Sequence, residues 1–217
     1  MTILEAAKTI TRDQVQEWTE TYFGLRDDLE PYTGAYFNTL AAEETDPNRF
    51  TAGDLYALRC LAVDVPVKVG ICILETHADD VNALLRQIPS DIALADVTDE
   101  EYDSLLGIDS PAWQLWRRLR AGDEGMTRWG MGPTRVSKLM ARKRPHLIPI
   151  EVSVVNRVIG SNARNSWHEW RTALHSDREA LHELADEVRS AAKRPDLSTL
   201  RALDIVQWMK GKSDQGA

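Results

Sequence analysis

Helix-start signals recur at short intervals along this chain, and breakers end each run soon after it begins. Thr11 with Gln14, Thr98 with Glu101 and Ser166 with Glu169 have capping-box spacing: a hydroxyl accepts from the first turn while the residue three positions on reaches back. Ser110-Pro111 puts a cap residue before a proline at the first helical position, where the missing N–H is no loss. Apolar residues then return at helical period, as in Leu181, Leu184, Ala185 and Val188, or Leu197, Leu200, Leu203 and Val206. Gly24, Pro31, Pro47, Pro66, Pro89, Gly107, Gly122 and Pro195 keep the runs short. The chain therefore reads as all-α, with about ten helices in a compact orthogonal bundle. Val63 to Leu74 (VDVPVKVGICIL) is rich enough in β-branched residues for a buried strand. No partner strands alternate elsewhere, so it reads as a packed helix.

A chain of 217 residues suits one domain or two lobes sharing an interface. With no shift in composition to mark a boundary, residues 1–210 read as a single domain and 211–217 as a disordered tail. Neither a run of 18 apolar residues nor a cleavable apolar N-terminus occurs, which predicts a cytoplasmic protein without a membrane partner. Cys60 and Cys72 sit in apolar runs and read as small buried hydrophobes rather than as metal or disulfide ligands.

The net charge of −8 argues against a protein that coats nucleic acid. That figure hides an island. Between Arg117 and Arg144 nine basic residues face only Asp123 and Glu124, a local balance of +7, so the remainder carries −15. A basic island in an acidic protein suggests one local contact with an anion, the bland alternative being a set of solvated helix faces.

Inside the island, Gly130-Met131-Gly132 precedes Pro133-Thr134-Arg135-Val136-Ser137-Lys138-Leu139-Met140. Glycines allow a tight turn with positive φ, and Pro133 fits the first helical position. The predicted result is a helix N-terminus on an exposed turn. Its free amides can point at one phosphate oxygen, with the helix dipole, Arg135 and Lys138 adding positive charge. A G-x-G before a helix is by itself most often an ordinary interhelical turn.

The spacing downstream sharpens this reading. Gly130, Gly132, Leu147-Ile148-Pro149-Ile150 and Arg157-Val158 follow the order of a known signature. The segment resembles the helix-hairpin-helix, Gly/Pro-Asp (HhH-GPD) superfamily of DNA glycosylases. That resemblance implies an all-helical fold in two lobes and double-stranded DNA as partner, including damaged or distorted sites. It implies a phosphate grip formed by Gly130, Met131, Gly132, Thr134, Arg135, Lys138, Arg142 and Lys143. A monovalent cation at the hairpin carbonyls is implied too, whereas the four-cysteine loop for an iron-sulfur cluster is missing. Along the family pattern the catalytic Asp falls on Val152, and the Schiff-base lysine of the lyase-competent members falls on Thr134. More broadly, YTGAYF from Tyr32, KLMARKRPHLIPIE from Lys138 and LRALDIVQWM from Leu200 resemble landmarks of a bacterial family of unknown function. In that family an Asp usually precedes the Ser-Val-Val, where Val152 stands here.

The missing acid decides the expected chemistry. Breaking a base–sugar bond leaves an oxocarbenium-like sugar, which a carboxylate stabilises while it orients the attacking water. Valine does neither, and such terms are each worth roughly 100-fold to 10,000-fold. Glu151 is the nearest replacement, one residue early and turned by about 100° if the segment is helical. Its alternatives are a helix cap or a solvated acid. Lys138, one turn beyond Thr134, is a displaced nucleophile or a phosphate contact.

Of the seven tryptophans, Trp113, Trp116, Trp167, Trp170 and Trp208 read as core. Trp129 beside the hairpin, with Tyr32 and Tyr36 around a glycine, are candidates to line a pocket. His168, His175 and His182 recur every seven residues on one helix face, about 10 Å apart and too far to chelate one metal. The sequence thus predicts a DNA-binding glycosylase relative with excision lost or severely weakened. The alternatives are an active glycosylase using Glu151 and a scaffold for protein interaction without nucleic acid.

Overall fold

The computed structural model of the protein describes residues 2–121, 129–151 and 166–216. Among these residues the chain is helical and forms no strand, with about ten α-helices as expected. It divides into two compact units, Met1–Ala35 with Ile148–Ala217, and Tyr36–Leu147. No helix among the described residues is long and apolar enough to cross a membrane.

The first unit contains α1 (Ile3–Lys8), α2 (Arg12–Phe23), α9 (Ser166–Ser176), α10 (Arg178–Ala192) and α11 (Thr199–Gly216). Thr11 caps α2 in a reciprocal box with Gln14, as its spacing predicts. Helix α10 packs on α2 and α11. The periodic apolar positions supply that packing, with Leu181, Ala185, Val188, Leu203 and Val206 all buried. Burial of each such leucine or valine stabilises the unit by roughly 1.5–3 kcal/mol before entropy is counted.

Three local expectations fail here for physical reasons. Ser166 stands in α9 with its hydroxyl buried and unbonded, so the predicted cap on Glu169 is absent. The histidine series breaks at Asp177, which caps a new helix through the Ala180 amide at 3.3 Å. His168 and His175 belong to α9 and His182 to α10. Residues 211–216, expected as a tail, continue α11, and Lys212 Nζ donates to the Tyr32 hydroxyl at 2.8 Å.

The second unit contains α3 (Ala52–Ala57), α4 (Val67–Ile71), α5 (Ala78–Arg86), α6 (Asp99–Leu106), α7 (Pro111–Ala121) and α8 (Pro133–Lys143). The β-branched stretch read as a packed helix is helical only from Val67, and Val67 and Ile71 are exposed: α4 runs into a π-helical turn at Cys72–Thr76, where the His77 amide donates to the Cys72 carbonyl at 2.8 Å. Thr98 forms its predicted capping box with Glu101. Ser110 Oγ accepts from the Trp113 amide at 3.1 Å, starting α7. Helix α7 packs against α5, α6 and α8, and its Leu115 and Leu119 are fully buried.

Candidate functional site

Helix α7 presents Trp113, Trp116, Arg117 and Arg120 three and four residues apart, hence on one face. The Trp113 and Trp116 rings stack with centroids 4.9 Å apart. Arg120 lies over the Trp116 ring at 4.4 Å from its centroid, an arrangement that a planar guanidinium favours. Because Trp116 is only 5% exposed, the indole is a fixed surface beneath that charge.

The turn before α8 is anchored by its apolar residues. Trp129 and Met131 are buried. The Trp129 ring stacks on His77 at 5.4 Å and lies under Arg118 at 5.6 Å. Arg118 in turn donates to Asp80 at 3.1 Å. Between the two anchors Gly130 has φ +81°, the left-handed region that a side chain disfavours. Gly132 has an ordinary φ of −74°, and a Cβ built there meets nothing within 4 Å. Pro133 then occupies the first helical position, and no side chain caps the helix. The Arg135 and Val136 amides both donate to the Gly132 carbonyl at 3.1 Å. This leaves the Thr134 amide as the first-turn donor directed at ligand or water.

These two elements meet. Trp116, Arg117, Arg120, Gly130, Met131, Gly132 and Arg135 line one cavity of about 540 Å³, a volume within the range of small-ligand sites. All of them belong to the second unit. Among the described residues no carboxylate pairs with Arg117, Arg120 or Arg135. The Nε of Arg120, the Nε of Arg135 and the Trp116 Nε1 are buried without an acceptor. Three guanidiniums around one cavity, with no carboxylate among its lining residues, favour an anion there.

The rest of the basic run has a different role from the one its sequence suggests. Lys138 is 4% exposed, and its Nζ donates to the Leu61 carbonyl at 2.7 Å, the end of a 3-10 segment where carbonyls lack helical partners. Arg142 donates to the carbonyls of Phe37 and Leu40 and pairs with Asp54 at 3.4 Å. Lys143 pairs with the same carboxylate. Burial pushes the Lys143 amine below its usual range, opposed by the hydrogen bond and charge of Asp54. Arg144 spends its donors on the carbonyls of Ile88 at 2.7 Å, Pro47 at 2.6 Å and Leu85 at 2.6 Å. Lys138, Arg142 and Lys143, expected to hold phosphate, are therefore interior groups that tie α8 to the start of the second unit. Only Gly130, Met131, Gly132 and Arg135 of the expected grip line the cavity; Thr134 stands in the first turn of α8.

Of the expected catalytic positions, Thr134 and Glu151 fall among the described residues. Thr134 offers a hydroxyl where a Schiff base needs an amine. Glu151 belongs to the first unit and is 2% exposed. Val152, Arg157 and Val158 lie outside the described residues. Of the expected pocket aromatics, Trp129 is held in its internal stack and does not line the cavity. Tyr32 packs on Tyr22 and Trp208 in the first unit, at 5.8 and 5.4 Å. Tyr36 is 51% exposed in the second.

A monovalent cation at the hairpin carbonyls fits poorly. Arg135 Nη1 donates to the Gly130 carbonyl at 3.1 Å, so a fixed positive charge already stands where the ion would. Among the described residues no group of three or more His, Cys, Asp or Glu could hold a metal.

The model of a family of unknown function (DUF6308) matches residues 15–211. The chain belongs to that family. No curated protein and no solved structure matches it. Within this DUF6308 chain, the site residues that sequence reasoning passed over are Trp116, Arg117 and Arg120. Their signal was present as two tryptophans and two arginines on one face of α7, but Trp116 read as core and the arginines as general charge.

Proposed function

We propose that the protein binds the backbone of double-stranded DNA through a helix-hairpin-helix grip made of α7, the Gly130–Gly132 turn and α8. Base excision of the glycosylase kind is lost or severely weakened. One observation carries the reading: three guanidiniums without carboxylate partners among the described residues share a cavity with the glycine turn and an uncapped helix N-terminus. The local charge supports it, since the island from Arg117 to Arg144 is positive within an acidic chain. The loss of excision is supported by Thr134 and Val152, which stand where the resembled superfamily has its lysine and aspartate.

Duplex, abasic and mismatched DNA titrated at 50 and 200 mM salt test the proposal. Three phosphate contacts predict a slope of log K against log salt near −2.7, and so a loss of roughly 40-fold across that range. Absence of binding to all three DNAs at 50 mM salt would overturn it and leave the protein-interaction scaffold.

A further inference from the structure

We infer that the cavity takes the terminal phosphate of a nucleic-acid strand, a phosphomonoester dianion, in preference to an internal phosphodiester. This inference rests on the DNA-binding reading above and narrows it.

Charge and acceptor number both favour a strand end. An internal phosphodiester carries one negative charge and two non-bridging oxygens. A terminal phosphate carries close to two charges at neutral pH and three acceptor oxygens. The cavity offers three guanidiniums, from Arg117, Arg120 and Arg135, that have no carboxylate partner among the described residues. Behind its wall Arg120 Nε, Arg135 Nε and Trp116 Nε1 also lack acceptors among the described residues, so none of the three side chains is committed elsewhere through those atoms. Trp116 is among the most buried of the lining residues, so it holds a fixed position in the cavity wall.

Shape and field point the same way. At about 540 Å³ the cavity has room for a phosphate with its attached sugar. The open space at Gly132 lets that group approach the turn backbone. Outside the basic island the chain sums to −15, which penalises a long polyanion laid over the surface more than an end inserted at one point. Arg120 rests over the Trp116 ring, which limits the side-chain freedom lost when its guanidinium meets a phosphate.

The test uses the full-length protein and one duplex sequence bearing a 5′-phosphate, a 3′-phosphate or only hydroxyl ends, with free mononucleotide as competitor. A phosphorylated end bound about tenfold or more tightly than the hydroxyl-ended duplex, with the preference lost in Arg117→Ala and Arg120→Ala, supports the inference. The two phosphorylated duplexes identify which end is read. Equal binding of all three duplexes overturns the inference and leaves the backbone grip standing. Mononucleotide competing as strongly as the phosphorylated end supports the dianion site, with a free nucleotide as its source, and overturns the strand reading. No binding of duplex or nucleotide overturns both. Arg117 is exposed, so its variant gives the reading even if Arg120→Ala disturbs the Trp116 stack.

Discussion

Lys143 meets Asp54 in an ion pair with neither side chain exposed to solvent. Asp54 also pairs with Arg142 at 3.4 Å and accepts from the Thr51 amide at 2.8 Å. One carboxylate thus closes the capping box of α3 and pairs with two cations of α8. Removing it would strand both charges in the interior, which costs more than the pair itself contributes. Asp54→Ala is expected to destabilise the protein by about 3–5 kcal/mol, seen as a fall in Tm of roughly 6–20 °C. A change in Tm below about 2 °C would mean that the interior tolerates the unpaired cations.

The two halves of the basic run should separate in binding assays. Arg117→Ala and Arg135→Ala each remove one phosphate contact and should flatten the salt slope by about 0.9. Arg117, being exposed, should leave stability within about 0.5 kcal/mol. Lys138→Met should do the reverse, because its ammonium already serves the Leu61 carbonyl. Its salt slope should stay at the wild-type value. A slope reduced as much by Lys138→Met as by Arg117→Ala would place the interface elsewhere on α8.

The glycines of the turn should also differ. Gly130 holds φ +81°, so Gly130→Ala is expected to cost about 1–2 kcal/mol from backbone strain. Gly132 has φ −74° and open space where a Cβ would go. Gly132→Ala should fold with wild-type stability and bind its anion more weakly, because the methyl group enters the cavity. Thermal melts beside anisotropy titrations of both variants measure the contrast.

Restoring an acid tests the expected catalytic frame. Val152→Asp supplies the carboxylate that the resembled superfamily uses, worth roughly 100-fold to 10,000-fold where the surrounding pocket is intact. Release of free base from a panel of modified duplexes is the readout. Continued inactivity of a variant that binds DNA normally would show that the pocket, and not only the acid, has diverged.

Much of the molecule was legible because it is local. Thr11, Thr98 and Ser110 cap helices as their spacing demands. Leu181, Ala185, Leu203 and Val206 are buried as their period demands, and the Gly130–Gly132 turn delivers α8 where Pro133 said it would begin. Each of these is settled by hydrogen bonds or side-chain directions within a few residues. Which arginines face an anion was not local. Arg135 and Arg142 are alike in sequence, seven residues apart on one helix. Arg142 is consumed by Asp54, 88 residues away, and Lys138 by Leu61, 77 residues away. Arg135 meets Arg117 and Arg120 of the neighbouring helix across a cavity. A charged side chain goes inside only when a distant partner compensates its desolvation. The sequence by itself therefore determined the helices and the turn, and only the tertiary structure decided which positive charges remain free to bind.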